Sequence, residues 1–244
     1  MEKLSIIMPA YEEAATIREV IDGVLSLPLA NLKKELIIVE SNSTDGTREA
    51  VLQYNEHPQV TIILEEQAKG KGHAVRKGLQ VATGDYILIQ DADTEYDLND
   101  YPKLLQPLID KKTDFVLGSR HSQERRSWKI RRFAKRERFS QYYFNFGHLL
   151  FTFLFNITYQ QKLKDPFTMY KVFRRSCIQG LTFTANRFDF DWEILGKLCR
   201  KGYTPLEIPV HYHSRSLNEG KKVHIFKDPL LWIIACFKYR FCKL

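Results

Sequence analysis

Hydrophobic positions in the first half of the chain alternate between two periodicities. Short β-branched runs predict strands, and runs with apolar residues three or four positions apart predict helices. The predicted strands are 4–8, 36–39, 60–64, 86–90 and 115–118, and the predicted helices are 12–25, 46–54, 72–82 and 98–111. This alternation predicts an α/β fold, with a Rossmann-like, mostly parallel sheet and helices on both faces.

The second half of the chain has a different pattern. After Arg120 comes a basic segment, 125–138, followed by an aromatic segment, 139–161, that contains no Lys, Arg, Asp or Glu. Polar residues interrupt the aromatic segment too often for a membrane span, which needs about 20 predominantly apolar residues. Two interpretations stay open: a helix lying in the lipid interface, or a helix packed against the sheet.

Composition is typical of a globular protein with one large core. The 244 residues are 44% hydrophobic, which is enough for a single sizeable domain. The four cysteines form no Cys-x-x-Cys pair, and the N-terminus runs into an apolar segment without the features of a signal peptide. We therefore expect a cytoplasmic location, without a zinc site or a disulfide framework.

Most of the net charge of +8 lies in one place. The basic segment 125–138 holds eight Lys or Arg residues and one Glu, a local charge of +7. Concentrated positive charge indicates an anionic partner, either a membrane leaflet or a nucleic acid. No RNA- or DNA-binding motif accompanies it, so we expect an anionic membrane surface and no nucleic acid. A basic nucleic-acid-binding protein is the non-enzyme alternative.

Acidic residues follow one predicted strand closely. Asp91-Ala92-Asp93 comes directly after the apolar run 86–90, and Glu95 lies two residues further on. Ligands of open α/β sheets bind beyond the carboxyl ends of the strands. Carboxylate oxygens suit Mg²⁺, whose other positions commonly hold water and substrate phosphates. The motif therefore predicts a divalent metal site that binds a diphosphate.

Segments across nearly the whole chain resemble family 2 glycosyltransferases of the dolichyl- or polyprenyl-phosphate mannose synthase type. They are 5–13, 40–47, 69–72, 83–85, 117–120, 164–175, 211–215 and 218–222. The sequence departs from the family pattern in three places. Glu12 stands where Asn is usual, Glu40 and Ser41 replace two aspartates, and the usual Ser-Gly is missing from 164–175.

The resemblance implies a GT-A fold and an inverting transfer of a sugar from a GDP- or UDP-sugar, with Mg²⁺ or Mn²⁺ as the cofactor. The expected metal ligands are Asp91, Asp93 and Glu95. The expected catalytic residues are Asp93, Asp191, Arg120 and Arg215. The expected nucleotide-sugar contacts are Pro9, Ala10, Tyr11, Glu13, Glu40, Asp45, Lys71, Asp91, Ala92, Asp93, Arg215 and Lys222.

The basic and aromatic segments favour a polyprenyl phosphate as the acceptor. Its phosphate is already ionised near neutral pH, so no general base is required. We expect Arg136, Arg138 and Ser140 to bind it, in an enzyme that is peripheral on the cytoplasmic membrane face. In this interpretation 1–244 is a single domain, in which 1–118 binds the nucleotide sugar and 119–244 faces the acceptor and membrane.

Other interpretations stay open. A soluble transferase acting on a saccharide or another hydroxyl acceptor needs a carboxylate to take the proton, and Asp191 is the candidate base. A nucleotidyltransferase also uses such a sheet, but Pro9-Ala10-Tyr11 stands where its Gly-rich loop would follow the first strand. Whether the chain forms a homo-oligomer is left open.

Overall fold

The structure is a computed structural model that describes residues 1–29, 32–121, 138–215 and 227–243, with the backbone alone at 138–140 and 227–228. Strands within these residues form one seven-stranded sheet. In chain order they are β1 (Lys3–Ala10), β2 (Lys33–Glu40), β3 (Val60–Leu64), β4 (Tyr86–Ile89), β5 (Phe115–Ser119), β6 (Lys171–Arg174) and β7 (Leu206–Pro209).

The order of strands across the sheet is β3-β2-β1-β4-β6-β5-β7. Every neighbouring pair is parallel except the two that contain β6, which runs antiparallel to both β4 and β5. All four residues of β4 are buried, as are all five of β5. Continuous burial along a strand requires helices on both faces of the sheet. The predicted mostly parallel α/β sheet is therefore confirmed.

Seven α-helices accompany the sheet in the described part of the chain. They are α1 (Ile17–Ser26), α2 (Thr47–Leu52), α3 (Lys71–Val81), α4 (Tyr101–Ile109), α5 (Arg138–Tyr159), α6 (Phe190–Arg200) and α7 (Lys227–Phe241). In α1 the buried side chains are Ile17, Val20, Ile21 and Val24, which share one face at helical spacing. The sheet, together with the inner faces of these helices, encloses a single hydrophobic cluster.

Two differences from the predicted elements have local causes. Helix α1 begins at Ile17 and not at residue 12, because Glu12 adopts a positive φ of 52° and the backbone N–H of Ala14 donates to Asp45 (3.0 Å). The pattern did not predict β6, a strand of only four residues. Its Phe173 lies opposite Ile87 of β4 and Phe115 of β5, so it carries the second half of the chain into the centre of the sheet.

Helices α5 and α7 have one buried and one exposed apolar face. On the buried face of α5, Phe151 and Phe155 lie 5.9 and 5.8 Å from Trp192 of α6, measured between ring centroids. Tyr159 donates a hydrogen bond to the backbone carbonyl of Cys236 in α7 (2.9 Å). The other face is apolar too: Phe153 is 64% exposed. The interpretation of a helix packed against the core thus holds for one face of the aromatic segment, and the lipid-interface interpretation of the other face stays a prediction.

None of the helices in the described ranges combines the length and hydropathy needed to cross a bilayer.

Candidate active site

A cavity of about 810 Å³ opens at the carboxyl ends of the parallel strands, the edge at which open α/β sheets bind ligands. One end is polar and lies at the loops that follow β1, β2 and β4. The other end is apolar and lies between α5, α6 and α7. The sequence-predicted residues on its wall are Pro9, Ala10, Tyr11, Glu13, Lys71, Asp91, Ala92, Asp93, Glu95, Arg120, Asp191 and Arg215.

The acidic turn after β4 lies at the polar end. The buried side chain of Gln90 accepts a hydrogen bond from Tyr101 and donates one to the carbonyl of Asp91, both at 2.9 Å, which fixes the start of the turn. Asp93 accepts from the backbone N–H of Glu95 (3.0 Å). Burial, followed by the nearby carboxylates of Asp91 and Glu95, raises the pKa of Asp93 to about 7.

Two cations neutralise this turn. Lys71, at the start of α3, forms an ion pair with Asp91. The Arg215 guanidinium bridges Glu13 (Nη1–Oε2, 2.9 Å) and Asp93 (Nη2–Oδ2, 2.5 Å). Although burial favours the neutral form of Lys71, Asp91 and then Asp191 outweigh that effect, so the pKa of Lys71 is raised. Arg215 and Lys71 therefore both bind carboxylates of the acidic turn at the polar end of the cavity.

The backbone that carries Lys71 requires glycine on either side. Gly70 has a φ of +102°, in the region that side chains with a Cβ disfavour. A Cβ on Gly72 would come within 2.6 Å of Phe190 Cβ, and hence α3 and α6 approach closely only because this position is glycine. The turn holds Lys71 against the cavity, while the remaining residues of α3 pack on β1 and β2.

Glu95, the third predicted metal ligand, lies on the same cavity wall and already accepts two hydrogen bonds. Its carboxylate accepts from the Tyr212 hydroxyl (3.0 Å) and from the backbone N–H of Arg215 (2.7 Å). The carboxylate oxygens of Asp91, Asp93 and Glu95 do not form a three-ligand group within 4.8 Å, and in the described ranges only one other group does. Glu95 thus ties the segment after β7 to the acidic turn.

Two of the predicted nucleotide contacts, Glu40 and Asp45, do not line the cavity. The fully buried Glu40 accepts from the backbone N–H of Ser43 (2.7 Å) and forms an ion pair with Arg48. Asp45 accepts from the N–H of Ala14 (3.0 Å) and from the N–H of Thr47. Burial raises the pKa of Asp45, but these hydrogen bonds outweigh it, and the net shift is downward. Both carboxylates brace the loops that form the cavity wall.

Sequence reasoning missed three residues beside this wall. Ser41, on the cavity wall, donates to Glu65 Oε2 (2.7 Å), and Glu65 Oε1 lies 2.5 Å from His73 Nδ1. Glu65 is 8% exposed although it is charged. The sequence signal that could have found them is Ser41, which stands where the family that the chain resembles has aspartate.

A buried ion pair lies where the polar end meets the apolar end. Arg120 donates to Asp165 through Nε (2.8 Å), Nη2 (2.6 Å) and its backbone N–H (2.8 Å). Burial alone would raise the pKa of Asp165, but Arg120 outweighs it and holds the pKa well below the usual range. The guanidinium carbon of Arg120 also lies 5.4 Å from the centroid of the Tyr212 ring. These contacts fix the orientation of Arg120 on the cavity wall.

Asp191, the candidate base, also reaches the wall. Its Oδ1 accepts from Lys171 Nζ at 2.7 Å, and Lys171 is fully buried. Burial lowers the pKa of Lys171, against the opposing attraction of Asp191. One carboxylate oxygen of Asp191 is therefore already bound by a cation.

The apolar end is formed mainly by aromatic side chains. Its lining residues from α5, α6, α7 and the neighbouring loop are Phe144, Phe146, Gly147, Leu150, Phe151, Phe167, Trp192, Trp232 and Ile233. Of the other predicted residues, Arg136 and Lys222 lie outside the described residues. Arg138 and Ser140 lie within the backbone of α5, and their side chains are not described.

An open sheet with an acidic turn after the fourth strand, facing a cavity at the carboxyl edge, defines a GT-A architecture. Residues 5–182 match the family described as glycosyl transferase family 2, which is most of the chain, and the chain belongs to that family. The resemblance inferred from the sequence motifs is thereby confirmed.

Two curated relatives match over most of this chain. Glycosyltransferase AglJ of Haloferax volcanii is 27% identical over 215 residues, covering 88% of this chain and 64% of the relative. The dolichol-phosphate mannosyltransferase of Pyrococcus furiosus is 25% identical over 234 residues, covering 92% of this chain and 63% of the relative. This chain thus spans less than two thirds of the length of these relatives.

Solved structures have the same fold. Mannosyl-3-phosphoglycerate synthase from Rubrobacter xylanophilus aligns with a TM-score of 0.71 at 20% identity, covering 98% of this chain and 73% of that one. Glucosyl-3-phosphoglycerate synthase from Mycobacterium tuberculosis, solved with Mn²⁺, UDP and phosphoglyceric acid, aligns with a TM-score of 0.65 at 20% identity, covering 100% and 80%. At this identity the likeness establishes the fold alone.

Proposed function

We propose that this protein transfers a sugar, with inversion at the anomeric carbon, from a nucleotide diphosphate sugar to a polyprenyl phosphate at a membrane surface. One observation carries the proposal: a single cavity joins the charged end around Asp91 and Asp93 to an aromatic end between α5 and α7. The charged end suits a diphosphate, and the aromatic end suits a hydrocarbon chain. Family membership supports the transfer chemistry.

The donor half of the proposal rests on the carboxylate pair. Asp91 and Asp93 line the cavity at one turn, and two carboxylates with open positions for phosphate oxygens are a donor set that Mg²⁺ or Mn²⁺ accepts. When bound there, the metal would stabilise the charge on the departing diphosphate. A solved GT-A relative holds Mn²⁺ together with UDP, which supports the same cofactor here.

Residues of the chain itself would complete the binding of the diphosphate. Lys71 and Arg215 at present neutralise Asp91 and Asp93. A metal-bound diphosphate brings both positive and negative charge to this turn. Lys71 and Arg215 can then release the carboxylate oxygens and bind phosphate oxygens instead. Arginine is well suited to that exchange because its guanidinium donates two hydrogen bonds to one phosphate. Lys222 is proposed to assist.

The acceptor half of the proposal rests on Arg120 and the aromatic end. Arg120 is held rigidly by Asp165 at the junction of the two ends, where it would orient an acceptor phosphate toward the sugar. An ionised phosphate needs no base, which agrees with the engagement of Asp191 by Lys171. The dolichol-phosphate mannosyltransferase among the relatives supports this acceptor class. Arg136, Arg138 and Ser140 are proposed as further acceptor contacts.

Membrane association would follow from the outward faces of α5 and α7. Phe153 and Leu230 are 64% and 62% exposed, and Lys238 and Arg240 lie in the last turn of α7. Apolar side chains beside cations are typical of helices that lie in the lipid interface. We accordingly place the protein at the cytoplasmic membrane face, with 1–118 binding the donor and 119–244 facing the acceptor within one domain.

A hydroxyl acceptor is the second candidate, since Asp191 lines the cavity and keeps one carboxylate oxygen outside its contact with Lys171. Product analysis separates the two. The protein is incubated with Mn²⁺ and UDP- or GDP-sugars, and either polyprenyl phosphate in vesicles or soluble acceptors (free glycans and phosphoglycerate). A lipid-linked sugar supports the proposal. Transfer only to soluble acceptors, lost in Asp191→Asn, supports the second candidate.

A further inference from the structure

The side chain of Tyr212 contacts both the acidic turn and the junction of the two ends of the cavity. It lies after β7, on the cavity wall. Its hydroxyl donates to Glu95 Oε2 (3.0 Å). The guanidinium carbon of Arg120 lies 5.4 Å from the centroid of the Tyr212 ring, a distance typical of a cation–π contact. Tyr212 therefore joins the polar end of the cavity to the buried ion pair at the junction.

Buried partners fix the position of this ring. Tyr96, which is 4% exposed, packs against it with ring centroids 5.0 Å apart, and the backbones of the two tyrosines form an isolated antiparallel bridge. Tyr96 is held in turn, because its ring stacks on Tyr170 at 4.4 Å and its hydroxyl accepts from the backbone N–H of Met169 (3.0 Å). The Tyr212 ring thus has a rigid support, as a residue that positions another one requires.

Arg120 is held on two sides and open on a third. Asp165 binds its Nε, its Nη2 and its backbone N–H, and the Tyr212 ring lies beside the guanidinium. The hydrogen bonds that Arg120 makes within the described ranges leave Nη1 without a partner, and the residue lines the cavity. Nη1 is therefore the amino group that can bind an anion in the cavity.

We propose that Tyr212 is a positioning residue, which holds Arg120 at a fixed place relative to the acidic turn. The inference rests on the proposed function. In that transfer, an acceptor phosphate oxygen forms a bond to the anomeric carbon while the bond from that carbon to the diphosphate oxygen breaks. Inversion requires the two phosphate groups on opposite faces of this one carbon, so Arg120 and the acidic turn must keep a fixed separation. The contacts of Tyr212 with Glu95 and with Arg120 supply that separation.

Substitution can separate the two contacts of Tyr212. Tyr212→Phe keeps a ring beside Arg120 and removes the hydrogen bond to Glu95, whereas Tyr212→Leu removes both contacts. Tyr54→Phe is the matched control, because Tyr54 also donates to a carboxylate, Asp22 Oδ1 at 2.7 Å, and does not line the cavity. The control should behave like the wild type in each measurement.

The first measurement is calorimetric titration of the full chain with geranyl monophosphate, a soluble prenyl phosphate, and separately with UDP and GDP in saturating Mn²⁺. Tyr212→Leu should bind geranyl monophosphate about fivefold more weakly, because the mostly buried Arg120 loses its cation–π contact. Tyr212→Phe should bind it like the wild type, and both variants should keep the affinity for nucleotide. Equal affinity of the wild type and Tyr212→Leu for geranyl monophosphate would overturn the inference. Equal weakening of both ligands would indicate a purely structural role and contradict it.

The second measurement is the rate of transfer to polyprenyl phosphate in vesicles. Rates are divided by the number of nucleotide sites counted in the titration, so that only folded protein is compared. Tyr212→Phe should lower kcat by about tenfold and leave both KM values unchanged, since it alters the placement of the bound substrates and not their binding. An unchanged kcat in Tyr212→Phe would show that Tyr212 does not set the separation.

The two levels of the proposal fail in different ways. If the wild type neither binds geranyl monophosphate nor transfers a sugar to polyprenyl phosphate, the proposed acceptor and the role of Tyr212 are both wrong. If it does both and the two Tyr212 variants match it, only the role of Tyr212 is wrong.

Discussion

The two ends of the cavity are built in opposite ways. At the polar end, the described charged side chains meet defined partners: Lys71 meets Asp91, Arg215 meets Glu13 and Asp93. At the apolar end, aromatic rings of α5 and α7 pack edge to face, as in Phe151 on Trp232 (5.3 Å). Directional contacts specify one geometry, whereas ring packing tolerates many apolar shapes. If the two ends bind the proposed donor and acceptor, we expect strict selection of the donor and permissive selection of the acceptor.

The largest expected effect is a loss of transfer activity when the polar end of the cavity is altered. Asp93→Asn removes one of the two carboxylates proposed to hold the metal, so transfer should fall by about 10³-fold, as expected when charge stabilisation at a leaving group is lost. The fold should persist, because Asp93 lies in the turn after β4 and Asn has nearly the same shape as Asp. Initial rates with Mn²⁺ measure the effect.

Asp110→Asn is the control for that experiment, because Asp110 lies at the C-terminal end of α4 and pairs with Lys112. It should retain the wild-type rate. Full activity in Asp93→Asn would show that the carboxylate pair is not the metal site.

The next largest effect concerns the junction of the two ends. Asp165→Asn leaves the Arg120 guanidinium buried without its counter-charge, which should lower the free energy of unfolding by about 3 kcal/mol. Replacing both residues, as Asp165→Asn with Arg120→Met, should recover part of that loss because no unpaired charge stays buried. Urea denaturation measures both. Equal losses in the single and double variants would mean that the unpaired charge of Arg120 is not the cause of the destabilisation.

A third prediction concerns the apolar end and its outward face. Phe153→Glu places a charge on the exposed face of α5, and partition onto anionic vesicles should fall by about tenfold, since a buried phenyl contributes roughly 2 kcal/mol. Val81→Glu, at the end of α3, substitutes an exposed apolar residue (42%, against 64% for Phe153) outside α5 and α7 and should change nothing. Equal partition of both variants would argue against this face as the membrane contact.

The smallest expected effect is on how strongly the stability of the protein depends on acid pH, through Glu35 in the first half of the chain. Burial raises the pKa of Glu35, but hydrogen bonds from Lys3, Ser5 and Thr83 outweigh it and lower the pKa from 4.5 to about 2. The stabilisation is therefore complete above pH 4.5 and is lost as the pH falls toward 2. After screening by solvent it should amount to about 1 kcal/mol. Glu35→Gln should flatten the dependence of the urea midpoint on pH over this range, and an unchanged slope would contradict the assignment.

Sequence patterns predicted β1 to β5 because each one contains a mostly apolar run before a polar turn, but they did not predict β7, whose four residues alternate apolar side chains with a Glu and a Pro. They also predicted the acidic turn, because Asp91 and Asp93 follow such a run directly. They could not predict β6, whose four residues are held in place by β4 and β5. Tertiary pairing, not local propensity, decides such short strands.

The sequence also could not predict which groups bind the carboxylates of the site. The family resemblance implied that Glu40 contacts the nucleotide sugar, but Arg48 and two backbone N–H groups occupy its carboxylate. Glu95 follows the acidic turn in sequence, yet its oxygens hold Tyr212 and the Arg215 N–H. The partners of Glu40 lie within eight residues of it, whereas those of Glu95 are more than 100 residues away and leave no local signal.

The antiparallel strand β6 has a consequence for the order in which the protein can be built on the ribosome. β4 and β5 share β6 as a neighbour, and β6 is synthesised only after α4, β5 and α5 have emerged. Until then a nascent chain has an open, strongly apolar sheet edge at β4, and such edges promote association between chains. Ending translation after residue 118 should therefore yield aggregates and not an isolated donor-binding unit.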